Sequence, residues 1–215
     1  VVKAGFAKVM DLLCYHGGGP DARPPERLAE GVKKLQERYK ITLRHLDMKN
    51  FDAEVAKVKE VYNKAWEKNW GFIPMTDAEI DFMAKALKPV VVPEMIVFAE
   101  IEGKLIGMGV TIPDFNVALK HNKSGRLFPF GLLKILWYRR KIHLGRTLIL
   151  GVFPEYRRTG ADAMLYHYTW SNGIKIGIYE CEASWLLENN PAIINGMLKL
   201  GFREYKRLRM YDKTL

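Results

Sequence analysis

"GVFPEYRRTGADAMLY", residues 151–166, is the stretch that decides the fold. Before it, "RTLILGV" (146–152) is nearly all apolar, as expected of a strand covered on both faces. After Gly160 a helix opens. A strand ending at Val152, a turn holding Arg157, Arg158 and Gly160, and an immediate helix start present several free backbone N–H groups in one direction. That cup, at the positive end of a helix dipole, suits a phosphate or diphosphate, and the two arginines add charge. The spacing is neither a P-loop nor GxGxxG. A turn with solvated arginines has the same composition, so this stretch alone leaves both readings open. Asp162 sharpens the question. A carboxylate in the first helical turn favours the dipole, but beside a diphosphate it repels the ligand unless it points away or pairs with Arg157 or Arg158.

Working outward, helices and strands alternate. A charged helix is expected over about 25–39, a strand over 41–48 and a helix over 52–70, with Asp52 as its N-cap. Thr76 and Glu79 form a Thr-x-x-Glu capping box that opens a helix over 76–87. Strands 95–103 and 104–114 meet in a tight hairpin at Glu102-Gly103. After the quoted turn come a helix to about Gly173, a strand 177–187, a helix 190–200 and a last strand. The pattern is that of an α/β or α+β domain.

The chain has 215 residues, 48% of them hydrophobic and 27% charged, which allows a sizeable core. Its formal net charge of +10, from 34 basic and 24 acidic residues, favours an anionic partner: nucleic acid, a phosphorylated cofactor or an acidic membrane surface. No nucleic-acid module accompanies the charge, which argues against RNA or DNA. Two cysteines, Cys14 and Cys181, form neither a metal pattern nor a disulfide framework. With no apolar run of membrane-spanning length and no secretory signal pattern, a cytoplasmic location is expected and no metal is called for. Oligomeric state is not legible.

An internal echo joins the two ends. "KAGFAKVMDLLCY" (3–15) and "KLGFREYKRLRMY" (199–211) align without gaps and share Lys3/Lys199, Gly5/Gly201, Phe6/Phe202, Leu12/Leu208 and Tyr15/Tyr211. In each, a helix would end on a left-handed glycine and a strand would follow. Residues 1–15 are therefore read as the tail of a preceding, similar repeat, 16–40 as linker and helix, and 41–215 as the domain proper.

From Val152 onward the chain resembles the GNAT superfamily of N-acyltransferases. Their acyl-CoA loop reads V-x-P-x-[YF]-[RQ]-x-x-G-x-[GA], and Val152, Pro154, Tyr156, Arg157 and Gly160 fall in register. "WLLENN" (185–190) and "KLGF" (199–202) fit the later motifs. "AWEKNWGFIPMTDAE", "PDFN" and "GRLFPFG" look like an uncharacterised bacterial GNAT-like family with tandem domains. The resemblance implies a mixed, V-splayed sheet flanked by helices. It also implies acetyl-CoA or a longer acyl-CoA as co-substrate, held through Leu150, Val152, Arg157, Arg158, Gly160, Ala161 and Asn190. The implied reaction is direct acyl transfer to a primary amine in a ternary complex. Two positions depart from the pattern: Asp162 stands where Gly or Ala is expected, and Met197 stands where the family often has a tyrosine acid. A non-catalytic module of the same fold, binding a ligand or a partner, is the alternative they motivate.

Acyl transfer to an amine needs an acceptor for the ammonium proton. Glu180, Glu182 and Ser184 share one face of their strand by period-two alternation. Glu182 is the candidate base and Ser184 the orienting hydroxyl, while ion pairing with the many cations is the competing role. Glu188 is read as a helix cap. For the acceptor, a small-molecule or lipid amine, the candidates are Asn69 and Trp70 at a helix exit and Asp114 and Asn116 after a strand end; Trp66 is read as core. "RLFPFGLLKILWYRRKIHLG" (126–145) mixes apolar bulk with five lysines and arginines. It suits peripheral contact with an anionic membrane, a lipid tunnel or packing on the sheet.

Overall fold

Alternating apolar residues in Ile96–Ile101 and Lys104–Pro113 put Phe98, Met108 and Val110 on one face and Val97 and Ala99 on the other, where a register shift in the pairing adds Ile106, and each face is buried under helices. These strands are the centre of the molecule in the computed structural model, which describes residues 1–67 and 69–213. In chain order the elements are β1 (Ala7–Gly18), α1 (Glu26–Tyr39), β2 (Ile41–His45), α2 (Phe51–Ala65), α3 (Asp77–Leu87), β3 (Ile96–Ile101), β4 (Lys104–Pro113), α4 (Asn116–Leu119), α5 (Gly131–Arg139), β5 (Leu144–Val152), α6 (Ala161–Lys175), β6 (Glu180–Leu187), α7 (Pro191–Lys199) and β7 (Arg203–Asp212). Among the described residues the strands form one sheet in the order β2-β3-β4-β5-β6-β1-β7, with only β5 and β6 parallel. This is the mixed α/β architecture expected.

The two faces are covered by different helices. On one, α1 and α6 bury Val32, Met164 and Leu165 against Val97, Ala99 and Ile106. On the other, α2 buries Phe51, Val61 and Ala65 against Phe98, Met108 and Val110. A third cluster, Leu13, Tyr15, Ala183, Met197 and Phe202, seals α7 onto β1 and β6. The buried Glu54 of α2 is held by Arg44 at 2.6 Å and Lys57 at 3.0 Å, so its burial is compensated by charge.

Several expectations about elements hold in detail. The Thr76–Glu79 capping box forms, and the hairpin turns through Glu102 at φ 49° and Gly103 at φ 77°. Gly5 and Gly201 close their helical turns at φ 83° and 82°, and a strand follows each. Asp52 is not the cap of α2. Asp47 instead accepts from the Lys49 amide at 2.9 Å, capping a 3-10 turn that feeds the helix. The strand after 41 stops at His45 for the same reason.

β1 lies between β6 and β7 and runs to Gly18, so the stretch read as linker begins inside a strand. Its register against β7 sets Leu12 opposite Leu208. These are the equivalent residues of the echo, so a local two-fold axis passes between them. Asp11, fully buried, takes Arg209 at 2.7 Å, Arg207 at 3.2 Å and Lys8 at 3.3 Å, tying the ribbon together.

Candidate active site

β5 and β6 pair only over Leu144–Thr147 and Glu180–Ala183. Beyond that, β5 stays with β4 to Val152 and β6 stays with β1 to Leu187. The parting coincides with a bulge: Val110 faces Ile149 and Thr111 faces Thr147, leaving Leu148 as an extra residue on β5. A bulge bends and twists its strand, here turning the second half of β5 away from β6. The result is the V-splayed sheet that the resemblance implies. Among the described residues, the edge of β5 that faces away from β4 has no strand partner past Thr147.

The opening holds a cleft of about 100 Å³ lined by Trp66, Leu150, Tyr166, Ser184, Trp185 and Met197, among others. Trp66 reaches it because Gly151 has no side chain: a Cβ there would lie 2.3 Å from the indole. Met197 is buried in the cleft floor and carries no proton to give. The hydroxyls that the cleft does offer are those of Thr147, Ser184 and Tyr166 of α6, the last with a pKa raised by burial and then by the nearby Asp162 charge.

At the mouth, Gly160 precedes α6 with φ 77°, and a Cβ on it would lie 2.5 Å from Leu35 of α1. Only glycine satisfies both constraints. The first intrahelical bond runs from the Met164 amide to the Gly160 carbonyl. Among the described residues, no protein atom accepts from the amides of Arg158, Gly160, Ala161 or Asp162. Asp162 is exposed and, among the described residues, makes no side-chain hydrogen bond or ion pair, and none to the amides of the cup. Arg157, expected at the diphosphate, has another task. Its guanidinium donates to the Ala65 carbonyl at 2.8 Å and to the Val152 carbonyl at 3.4 Å, fastening the end of α2 to the turn. Both arginines are exposed, but Arg158 makes no such bond among the described residues.

Beside the cleft-lining Ser184 on β6, the buried Glu182 is the hub of a polar cluster. Ser184 donates to one carboxylate oxygen at 2.5 Å, Arg146 pairs with the same oxygen at 3.0 Å, and the Tyr205 hydroxyl donates to the other. Burial pushes the Glu182 pKa up, but the Ser184 and Tyr205 hydrogen bonds and the Arg146 charge outweigh it and hold it below the usual carboxylate range. Glu180 is apart from this cluster, facing His16 at 3.3 Å. Sequence reasoning missed three members of the site. Arg146, the lone cation of an otherwise apolar strand, could have been found by its alternation. Trp66 was assigned to the core, and Tyr205 reaches Glu182 from β7 across the intervening strand β1.

Ile112 is the register partner of Arg146, so both project from the same face of the sheet. On that face α2 and α3 stand off the sheet and enclose an almost wholly apolar chamber of about 390 Å³, bounded by Val58, Tyr62, Ile80, Leu87, Ile112 and Ile149, among others. The Glu182 cluster and the chamber thus open on one side, a strand apart.

The other candidates lie elsewhere. Asp114 accepts from the Asn116 amide at 3.0 Å and its side chain at 2.8 Å, a turn level with Leu144 at the closed end of the β5–β6 pair. Trp70 is exposed, and Asn69 sits in the turn before it; Trp66 is the aromatic residue that reaches the cleft. Asn190 caps α7 through the Ile193 amide at 3.4 Å. Glu188 is not that cap; it accepts from the Asp11 amide at 2.9 Å and from Lys8 at 2.8 Å. Among the described residues no group of three or more His, Cys, Asp or Glu is placed to hold a metal.

With this geometry in place, the fold is that of the GCN5-related N-acetyltransferases, the GNAT class. A GCN5-related N-acetyltransferase from Sphaerobacter thermophilus superposes with a TM-score of 0.65 at 16% identity, over 98% of this chain and 53% of that one. The structure of AAC(6')-Iy with the bisubstrate analogue CoA-S-monomethyl-acetylneamine superposes at 0.51 and 14% identity, over 81% and 99%. In sequence the chain is similar to the bacterial ceramide synthase of Caulobacter vibrioides, 33% identical over 221 residues, and to protein YghO of Escherichia coli, 32% over 223. Both alignments take in 100% of this chain but only 57% and 56% of those proteins, so it spans little more than half their length. No family model matches the chain.

Proposed function

We propose that the chain is an acyl-CoA-dependent N-acyltransferase acting on a primary amine. The observation that carries this reading is the set of amides of Arg158, Gly160, Ala161 and Asp162, free of protein acceptors among the described residues, at the mouth of the cleft between β5 and β6. The CoA diphosphate sits on those amides with Arg158 beside it, and the pantetheine runs along the free edge of β5 at Leu150. Glu182, ionised and fixed by Ser184, Tyr205 and Arg146, receives the substrate ammonium. The amine nitrogen, once neutral, attacks the thioester carbonyl; the carbon–sulfur bond breaks and the thiolate leaves, taking its proton from water. Because its pKa is lowered, Glu182 anchors the ammonium more strongly than it accepts a proton, which passes on to water.

The acceptor or the acyl group carries a long alkyl chain. The apolar chamber beside the Glu182 cluster supports this, and the Caulobacter relative, a ceramide synthase by name, points the same way. Calorimetric titration with CoA tests the first reading: binding is expected, weakened in a salt-sensitive way by Arg158→Ala, and absence of heat would leave a non-catalytic module. Thiol release with long-chain against short-chain amines tests the second. A preference that survives in the wild type and falls in Ile80→Trp, which fills the chamber, is the expected result.

A further inference from the structure

Between Asp114 and Glu155 the chain contains eight lysines and arginines and no carboxylate. Most of this run forms a lobe around α4 and α5 that packs chiefly on itself. Its apolar side chains point outward: Phe128 is 76% exposed, Phe130 65%, Leu133 62% and Trp137 62%. Lys123, Arg126, Lys134, Arg139, Arg140 and Lys141 are interleaved with them.

The lobe is held in this form by its own backbone. The Leu132 amide donates to the Leu127 carbonyl at 2.7 Å, and Asn122 donates to the Arg126 carbonyl at 3.1 Å. Gly131 permits the approach, since a Cβ there would lie 1.9 Å from the Arg126 carbonyl oxygen. His121 and Tyr138 stack at 3.6 Å, joining α4 to α5. A fixed cluster of large apolar side chains on a soluble surface marks an interaction site. A rim of cations without a single acid selects an anionic partner, and aromatic residues among cations match the boundary between headgroups and acyl chains.

We infer that this lobe is a docking surface for an anionic phospholipid bilayer, with Phe128, Phe130, Leu133 and Trp137 entering the headgroup boundary and the cations meeting lipid phosphates. Its base is close to the chamber: Val90 and Val92 line the groove under Arg139 and Arg140, and Val91 between them lines the chamber. The inference stands on the lobe alone and is independent of the catalytic reading.

The test is sedimentation of the chain with vesicles of phosphatidylcholine alone and of an equimolar mixture with phosphatidylglycerol, together with quenching of tryptophan emission by brominated lipid. Binding to the mixture only, weakened by salt, with quenching that is lost in Trp137→Phe, is expected. Arg139→Ala with Arg140→Ala should reduce partitioning about thirtyfold. The variant carrying Phe128→Ser, Phe130→Ser and Leu133→Ser should not sediment while melting normally, since all three side chains lie outside the core. Equal binding to both vesicle types, undiminished binding by that variant, or a dimer that buries Trp137 without lipid would each overturn the inference.

Discussion

Glu182 shows what a single carboxylate gains from its neighbours. Its folded pKa lies below its unfolded one, so the stability it lends is fully present above the usual carboxylate range and is lost as pH falls through the folded value. Removing the Ser184 hydrogen bond takes away one of the lowering causes. Ser184→Ala should therefore move the acid limb of the pH–rate profile to higher pH, whereas an unmoved limb would assign that limb to another group. Glu182→Gln should lower turnover by roughly a hundredfold and leave CoA affinity nearly unchanged. Asp162, exposed beside the free amides, would be a like charge near a diphosphate bound there. Asp162→Asn should tighten CoA binding a few fold at low salt, with the gain shrinking as salt is raised; calorimetry reads both effects.

Among elements, β5 decides the site. Its bulge at Leu148 opens the cleft, and Gly151 lets Trp66 lie across it. Gly151→Ala would place a methyl inside the indole and should cost about 1–3 kcal/mol, measured by urea denaturation, with weaker binding in the cleft. Much of this level was legible beforehand. The apolar run 146–152, the Thr76–Glu79 box and the Glu102-Gly103 turn are local signals, and each formed where expected. The bulge was not legible, because an extra residue in a strand leaves no mark on an apolar run. Neither were the tasks of Arg157 and Asn190: an arginine bonding carbonyls and an asparagine capping a helix are spelled like ligand-binding residues. The roles of Arg146 and Tyr205 depend on which strands become neighbours, which periodicity does not encode.

At the scale of the whole molecule, β1 joins β6 to the edge strand β7, and Asp11 is its anchor. The hydrogen bond from Arg209 is the main cause that holds the Asp11 carboxyl well below the usual range, so this contribution persists far into acid before it is lost. Asp11→Asn should lower the urea midpoint and speed hydrogen exchange in residues 203–212 ahead of β3 and β4; uniform exchange would show that β7 does not depend on this carboxylate. The axis between Leu12 and Leu208 has a wider consequence. Rotation about it carries β1 onto β7 and sends β6 to a position along the far edge of β7, which has no strand partner among the described residues. The two-fold thus relates only the β1–β7 ribbon, and its symmetry gives the edge of β7 the same backbone pattern that β1 presents to β6.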